Sequence, residues 1–154
     1  MKFEALVDLV MAAQTNDDGA ANEAKSSGFL TLRWEGDFQL HIEQVADGDL
    51  VHLHAPLHTL TKNDPENLLR LLLEAHTFGY ATKGAYFGYD RKRAAIVLFQ
   101  NLALGDFDAQ SFNQVLENFI EQLQFWREAL PNLQPTAEPS HPALQTIPEF
   151  GGRV

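Results

Sequence analysis

The first residues of the chain carry apolar side chains at the spacing of one helical face. Apolar positions recur at i, i+3, i+4 and i+7, which is typical of an amphipathic helix with one side on a core. The pattern ends at 16–19, and the stretch from Thr15 to Gly28, rich in Ala, Asn, Ser and Asp, predicts a loop. The apolar positions of the predicted helix are Phe3, Leu6, Val7 and Val10.

Three segments that follow alternate apolar and polar side chains with a period of two. This period is typical of strands with one buried and one solvated face. Short turns between them pair Trp34 with Phe38 and Ile42 with Leu53, so that every apolar residue falls on one face. The pattern therefore predicts a three-stranded antiparallel meander. Its strands cover 30–34, 38–42 and 51–57.

A second helix is predicted after the meander. Asp64 and Pro65 form a helix start signal, with Asp64 as N-cap and Pro65 at the first helical position. The helix, Asn67–Phe78, is apolar around most of its circumference, so it must be covered on more than one side. We expect the sheet to cover one side and a second copy of the chain to cover the other.

The last part of the pattern predicts two strands, a long helix and a tail. The strands, 85–89 and 94–101, are joined by a charged hairpin turn, and the helix Ala109–Leu130 carries a single apolar stripe. We therefore predict an α+β fold, in the order α-β-β-β-α-β-β-α, with a twisted antiparallel sheet packed against helices. One domain is expected to span 1–130, and 131–154, which holds five of the seven prolines, to form a flexible tail.

Composition excludes several classes of function. The net charge of -10 argues against a nucleic-acid partner, which requires clustered basic residues. With no cysteine, disulfides and thiolate nucleophiles are excluded. No segment approaches the roughly 18 consecutive apolar residues of a membrane span, and residues 1–11 lack the features of a signal peptide. We expect a cytoplasmic protein.

Histidines supply the strongest candidate for chemistry. In the predicted register His41 faces His54 and Glu43 faces His52 on the polar side of the meander, and such a set could bind zinc in a metal-dependent hydrolase. Solvated histidines on a polar face are the favoured interpretation, because the spacing matches no compact metal motif. No nucleophile elbow or phosphate-binding loop occurs. We therefore predict no catalytic residue, no metal site and no cofactor. Phe29 and Phe125 are expected to be exposed contact residues, and Trp34 and Trp126 to lie in the core.

Several segments together resemble the class I chaperones of bacterial type III secretion, the Tir chaperone-like family. The similarity covers most of residues 1–130, with His76 standing where members often have Asn. It includes the amino-terminal Phe3-x2-Leu6-Val7, and the segments that carry it most clearly are His54–Leu57, Leu71–His76, Ile96–Phe99, Asp108–Phe112 and the spacing Phe119-x6-Trp126-x3-Leu130.

The resemblance implies a homodimer in the bacterial cytoplasm that binds the amino-terminal region of one or several secreted effectors and keeps it secretion-competent. Effector segments would add strands to sheet edges and place apolar side chains in grooves, and the secretion ATPase is a further partner that the resemblance suggests. Leu72→Asp is expected to dissociate the dimer. The implied dimer residues are Leu68, Leu71, Leu72, Ala75, Tyr86 and Gly88. The implied effector-binding residues are Phe3, Val10, Phe29, Thr31 and Arg33, with His41 and His54 beside Arg33 at the rim. Another small acidic adaptor, such as a toxin-neutralising protein, is the alternative within the binding class.

Overall fold

The computed structural model describes residues 1–14, 18–34, 38–46, 48–64 and 66–132, and the side chains of Gln14, Asp18 and Trp34 are outside the description. Its helices are α1 (Phe3–Gln14), α2 (Asp18–Ser27), α3 (Leu68–His76) and α4 (Ala109–Ala129). Its strands are β1 (Phe29–Trp34), β2 (Phe38–Gln44), β3 (Leu50–Thr59), β4 (Tyr86–Asp90) and β5 (Ala95–Ala103). Short 3-10 segments cover Thr77–Thr82, Leu104–Asp106 and Leu130–Asn132.

The amino-terminal prediction is half right. α1 forms as expected and buries its whole apolar stripe, but the predicted loop before β1 is wrong, because α2 occupies most of it. α2 has only small apolar residues, and its Ala21 and Ala24 are nearly buried. Alanine has the best helix propensity and needs little surface to pack against. Gly28 ends the helix with a φ of 69° and its N–H bonds to the Ala24 carbonyl, a left-handed cap that glycine adopts without strain.

The sheet confirms the predicted register. Its five antiparallel strands run in the order β1-β2-β3-β5-β4. Trp34 pairs with Phe38, Ile42 with Leu53 and His41 with His54, as the alternation required. The inner face is buried, since Leu40, Ile42 and Leu53 are all 0% exposed. The α+β fold class is thereby confirmed, and the sheet leaves β1 and β4 as its two edge strands.

The start and the end of α3 differ from the prediction. Asn67, and not Asp64, is the N-cap, while the Asp64 carboxylate lies 2.7 Å from His58 Nε2 and accepts the Thr61 N–H. Pro65 lies outside the described residues. The helix ends at His76 rather than Phe78, because Phe78 has a φ of 60° and turns the chain into the 3-10 segment.

α4 packs its apolar stripe into the core formed with the sheet and α1. Asp108 caps its start: the side chain accepts the Ser111 N–H at 2.8 Å while Ser111 Oγ accepts the Asp108 N–H, a reciprocal capping box. Trp126, 6% exposed, meets the Phe87 ring of β4 edge-on at 4.9 Å. Among the described helices, none is long and apolar enough to cross a membrane. The predicted tail lies outside the described residues from 133 onward.

Candidate partner-binding surfaces

An open groove runs along β1, the edge strand beside α2. We call it the β1 groove, and its volume is about 620 Å³. Among the described strands, β1 has a neighbour only on the β2 side, so its other edge can pair with a further strand. The groove is lined by Ala20, Glu23, Ala24 and Ser27 of α2 and by Phe29, Leu30, Thr31 and Arg33 of β1.

A second, smaller groove lies between α1 and α4. We call it the α1–α4 groove; its volume is about 330 Å³. Val10, Leu32 and Ile120 contribute to an apolar floor, while Asn113 and Glu117 supply polar groups. Leu32 belongs to β1, so this one strand contributes side chains to both grooves. The complete lining is Val10, Ala13, Leu32, Asn113, Leu116, Glu117 and Ile120.

The five residues proposed for effector binding fall into three places. Phe29, Thr31 and Arg33 line the β1 groove, and Phe29 is 41% exposed. Val10 is 3% exposed and contributes to the floor of the α1–α4 groove. Phe3 is 2% exposed and packs inside the core, because it lies on the side of α1 that faces the sheet and α4. A partner cannot touch Phe3 while this fold is intact.

The outer face of the sheet brings histidines from β2 and β3 together. The ring centroids of His41 and His54 are 5.0 Å apart, and the Phe29 ring stacks on His41 at 5.4 Å. Glu43 Oε2 lies 3.7 Å from His54 Nε2, beyond hydrogen-bonding distance. Over the described part of the chain, no group of three or more His, Cys, Asp or Glu side chains has the geometry to hold a metal ion.

Both imidazoles favour the neutral form. Burial is the main cause that lowers the pKa of His41, and the neighbouring His54 lowers it further. Burial also lowers the pKa of His54, although the carboxylate of Glu43 opposes that shift. At neutral pH the pair is therefore uncharged, and its rings pack as partly apolar groups.

Apolar side chains are exposed at the opposite edge of the sheet, beside β4. We call this the α3–β4 surface: Leu69, Leu73, Phe78, Tyr80, Tyr86 and Tyr89, of which Phe78 is 88% exposed. The structure changes the predicted dimer set, because Leu68 and Leu72 pack in the core of their own chain. Of the other predicted residues, Leu71, Ala75 and Gly88 are partly buried, and only Tyr86 belongs to the exposed set.

Sequence reasoning missed two groups of residues at these surfaces. The sequence pattern predicts a loop where the α2 residues of the β1 groove lie, and only the three alanines among 20–24 indicate a helix. Leu69 and Leu73 do not stand out in the sequence, because an apolar pattern around the whole of α3 does not tell which side meets the sheet. The exposure predicted for Phe29 and Phe125 is confirmed, since they are 41% and 57% exposed.

Comparison with known proteins identifies one family. The family model described as the Tir chaperone protein (CesT) family matches residues 19–127, which include α2 except for its first residue, the whole sheet, α3 and most of α4. None of the curated protein sequences compared with the chain matches it.

Solved structures share the fold across most of the chain. A chain of the ExsC–ExsE complex has a TM-score of 0.65 at 15% identity, and the match covers 87% of this chain and all (100%) of that one. A chain of the HopA1–SchA chaperone–effector complex has a TM-score of 0.60 at 17% identity, and the match covers 82% of this chain and 94% of that one. A chain of the complex between the Yersinia pestis type III secretion chaperone SycH and a stable fragment of YscM2 has a TM-score of 0.56 at 12% identity. The match covers 81% of this chain and 99% of that one. At such identities the likeness establishes the fold.

Proposed function

The chain belongs to the Tir chaperone protein (CesT) family, and from that premise we propose that it binds the amino-terminal region of type III secretion effectors. The client segment is held in a largely extended form, which keeps it soluble and competent for secretion. The similar fold in a chaperone–effector complex and in a type III secretion chaperone bound to a protein fragment supports this role.

The observation that carries the proposal is that β1 is an edge strand and contributes side chains to both grooves. An extended client that pairs with the open edge gains backbone hydrogen bonds. Its alternate side chains then point to opposite faces of the sheet, so neighbouring client residues reach different surfaces. Leu116 and Ile120, which are only partly buried, offer apolar contact in the α1–α4 groove, and Phe29 offers it in the β1 groove.

Charge supports a client with basic residues near its apolar anchors. The chain has a net charge of -10, and the α1–α4 groove contains the carboxylate of Glu117, whereas the β1 groove contains both Glu23 and Arg33. Charge complementarity of this kind adds specificity and speeds association more than it adds affinity.

We also propose that a second copy of the chain covers the α3–β4 surface. Large exposed apolar side chains are concentrated on α3, on the segment that follows it and on β4, the second edge strand, and exposed apolar patches are typical of interaction sites. A homodimer formed there leaves the β1 edge of each subunit open for the client.

The remaining parts of the proposal follow the family. The chaperone acts by binding alone, without catalytic residues or a cofactor, in the bacterial cytoplasm, and it presents the client to the secretion machinery, including its ATPase. We propose 1–130 as the folded domain and 131–154 as a tail outside it.

Capture from a lysate of the host bacterium tests the proposal with two matched variants of α4. Leu116→Glu puts a charge into the α1–α4 groove, whereas Gln124→Glu puts the same charge on the exposed side of the helix. The tagged wild-type chain and Gln124→Glu should retain a secreted protein through its amino-terminal region, and Leu116→Glu should not. Equal capture by both variants, with circular dichroism showing that both are folded, would overturn the groove assignment.

A further inference from the structure

Three aromatic rings form a continuous row across β1, β2 and β3 on the outer face of the sheet. We call Phe29, His41 and His54 the ring row. Phe29 stacks on His41 with an angle of 23° between the ring planes, and His41 meets His54 with an angle of 35°. His41 is therefore packed between the edge strand and β3, and a movement of its ring is transmitted to both neighbours.

His41 contacts the wall of the β1 groove without lining the groove itself. Its Nδ1 lies 3.0 Å from Thr31 Oγ1, and its ring stacks on Phe29, so two of the groove-lining side chains touch it. Phe29 is 41% exposed and lies outside the buried core cluster. Its orientation toward a client consequently depends on the imidazole on which it stacks.

Most of the charged groups near His41 oppose protonation of its imidazole. Arg33 on β1, Arg93 in the turn after β4 and His54 on β3 oppose a charge on His41, and Glu43 on β2 favours it. His52 adds a further opposing group at His54. Burial is the largest cause that lowers the pKa of His41, and the neighbouring cationic groups lower it further.

We propose that His41 is a positioning residue of the β1 groove and that proton uptake by the His41–His54 pair weakens client binding there. The proposal rests on the function proposed above. A protonated imidazole donates from both nitrogens, so a charged His41 must donate to Thr31 Oγ1, whereas the neutral ring also has a nitrogen that accepts. Charges on both rings, 5.0 Å apart, repel each other and displace Phe29.

Client binding and proton binding are coupled reciprocally. A client over Phe29 and Thr31 removes more water from His41, so the charged ring is less stable in the complex than in the free chain. Affinity should therefore fall as the pH decreases through the lowered pKa values of the pair, which lie below the ordinary histidine value of 6.5. By the same linkage, binding in that acidic range releases protons.

The first test uses the free full-length protein and needs no client. NMR follows the histidine ring signals, the Thr31 methyl group and the Phe29 ring from pH 8 to pH 5. We expect the Thr31 and Phe29 signals to shift with the same midpoint as His41. In His41→Gln this shift should disappear, and in His52→Gln, which removes a histidine outside the ring row, it should remain. Thr31 and Phe29 signals that do not follow His41 would overturn the positioning role.

The second test uses the amino-terminal segment of the protein captured by the tagged chain. Calorimetry should show that the Kd of the wild type rises about threefold or more from pH 7.5 to pH 5.5. For His41→Gln the same ratio of Kd values should be at most about half of the wild-type ratio. Titrations at pH 5.5 in two buffers of different ionisation enthalpy should show proton release on binding. If the wild type binds its client equally well at both pH values, the coupling is overturned and the proposed function is left intact. If no secreted protein is captured, that result counts against the proposed function. The NMR test still decides the role of His41 in that case.

Discussion

Leu72 and Leu73 are neighbours in α3 and face opposite environments, with 3% of Leu72 and 68% of Leu73 exposed. Leu72 packs in the core with Leu68, while Leu73 belongs to the α3–β4 surface together with Leu69. The apolar residues around the circumference of α3 therefore have two separate roles. One side stabilises the monomer, and the other is available to a second copy.

Leu73→Asp should convert a dimer into a folded monomer. The substitution leaves the core intact and introduces a charge into the surface that we propose is covered, where an unpaired charge is strongly unfavourable. Light scattering after size exclusion at micromolar concentration measures the mass, and circular dichroism checks the fold. A Leu73→Asp variant that stays dimeric would contradict the interface.

The sequence pattern predicts that Leu72→Asp dissociates a dimer, but the structure places Leu72 in the core of its own chain. Because its side chain is in the core, Leu72→Asp would test folding rather than dimerisation. Leu72→Ala should lower the unfolding free energy by about 2–5 kcal/mol, whereas the exposed control Gln124→Ala should change it by no more than about 0.5 kcal/mol. Both substitutions are made in the Leu73→Asp background, so that monomers are compared with monomers. Urea unfolding provides the comparison.

Trp126→Ala should be among the most destabilising substitutions in α4. The indole is 6% exposed and contacts the Phe87 ring at 4.9 Å, so its removal leaves a large cavity between α4 and β4. We expect a loss of about 3–5 kcal/mol in urea unfolding. Phe125→Ala is the matched control, because Phe125 is 57% exposed, and a similar loss there would contradict this description of the helix.

Gly28→Ala should destabilise the junction between α2 and β1. Gly28 has a φ of 69°, in the left-handed region, where a Cβ atom costs roughly 1–2 kcal/mol. Gly105→Ala is the control, since a Cβ at that position meets nothing within 4 Å and the φ is not in that region. Thermal unfolding of both variants measures the difference, and equal melting temperatures would exclude a conformational requirement at Gly28.

The Asp108 cap predicts a pH dependence of stability. Hydrogen bonds from the Ser111 side chain and backbone lower the pKa of Asp108 from its ordinary value of 3.8. A lowered folded-state pKa contributes stability that is present above the unfolded value and is lost as the pH falls through the folded one. Asp108→Ala should therefore reduce the melting temperature at pH 7, with a difference from wild type that shrinks below pH 3.8. A constant difference across that range would argue against the cap.

Much of the candidate site could be read from strand periodicity. Phe29, Thr31 and Arg33 share the outer face of β1, and a period of two assigns them to that face together. The periodicity of the sequence does not tell whether Phe3 or Val10 borders a groove. Both belong to the apolar stripe of α1, and only the position of α4 decides which of them borders a groove.

The sequence by itself determined the sheet register and the buried stripe of α4, because a shift of one residue in a strand would move its apolar side chains to the solvated face. Only the tertiary structure decided the formation of α2, the division of α3 between Leu72 and Leu73, and the grooves beside β1. Small alanines in a polar segment become a helical face only when α1 lies against them. A helix that is apolar all round has no preferred side until the sheet covers one, and a groove exists only where separate elements meet.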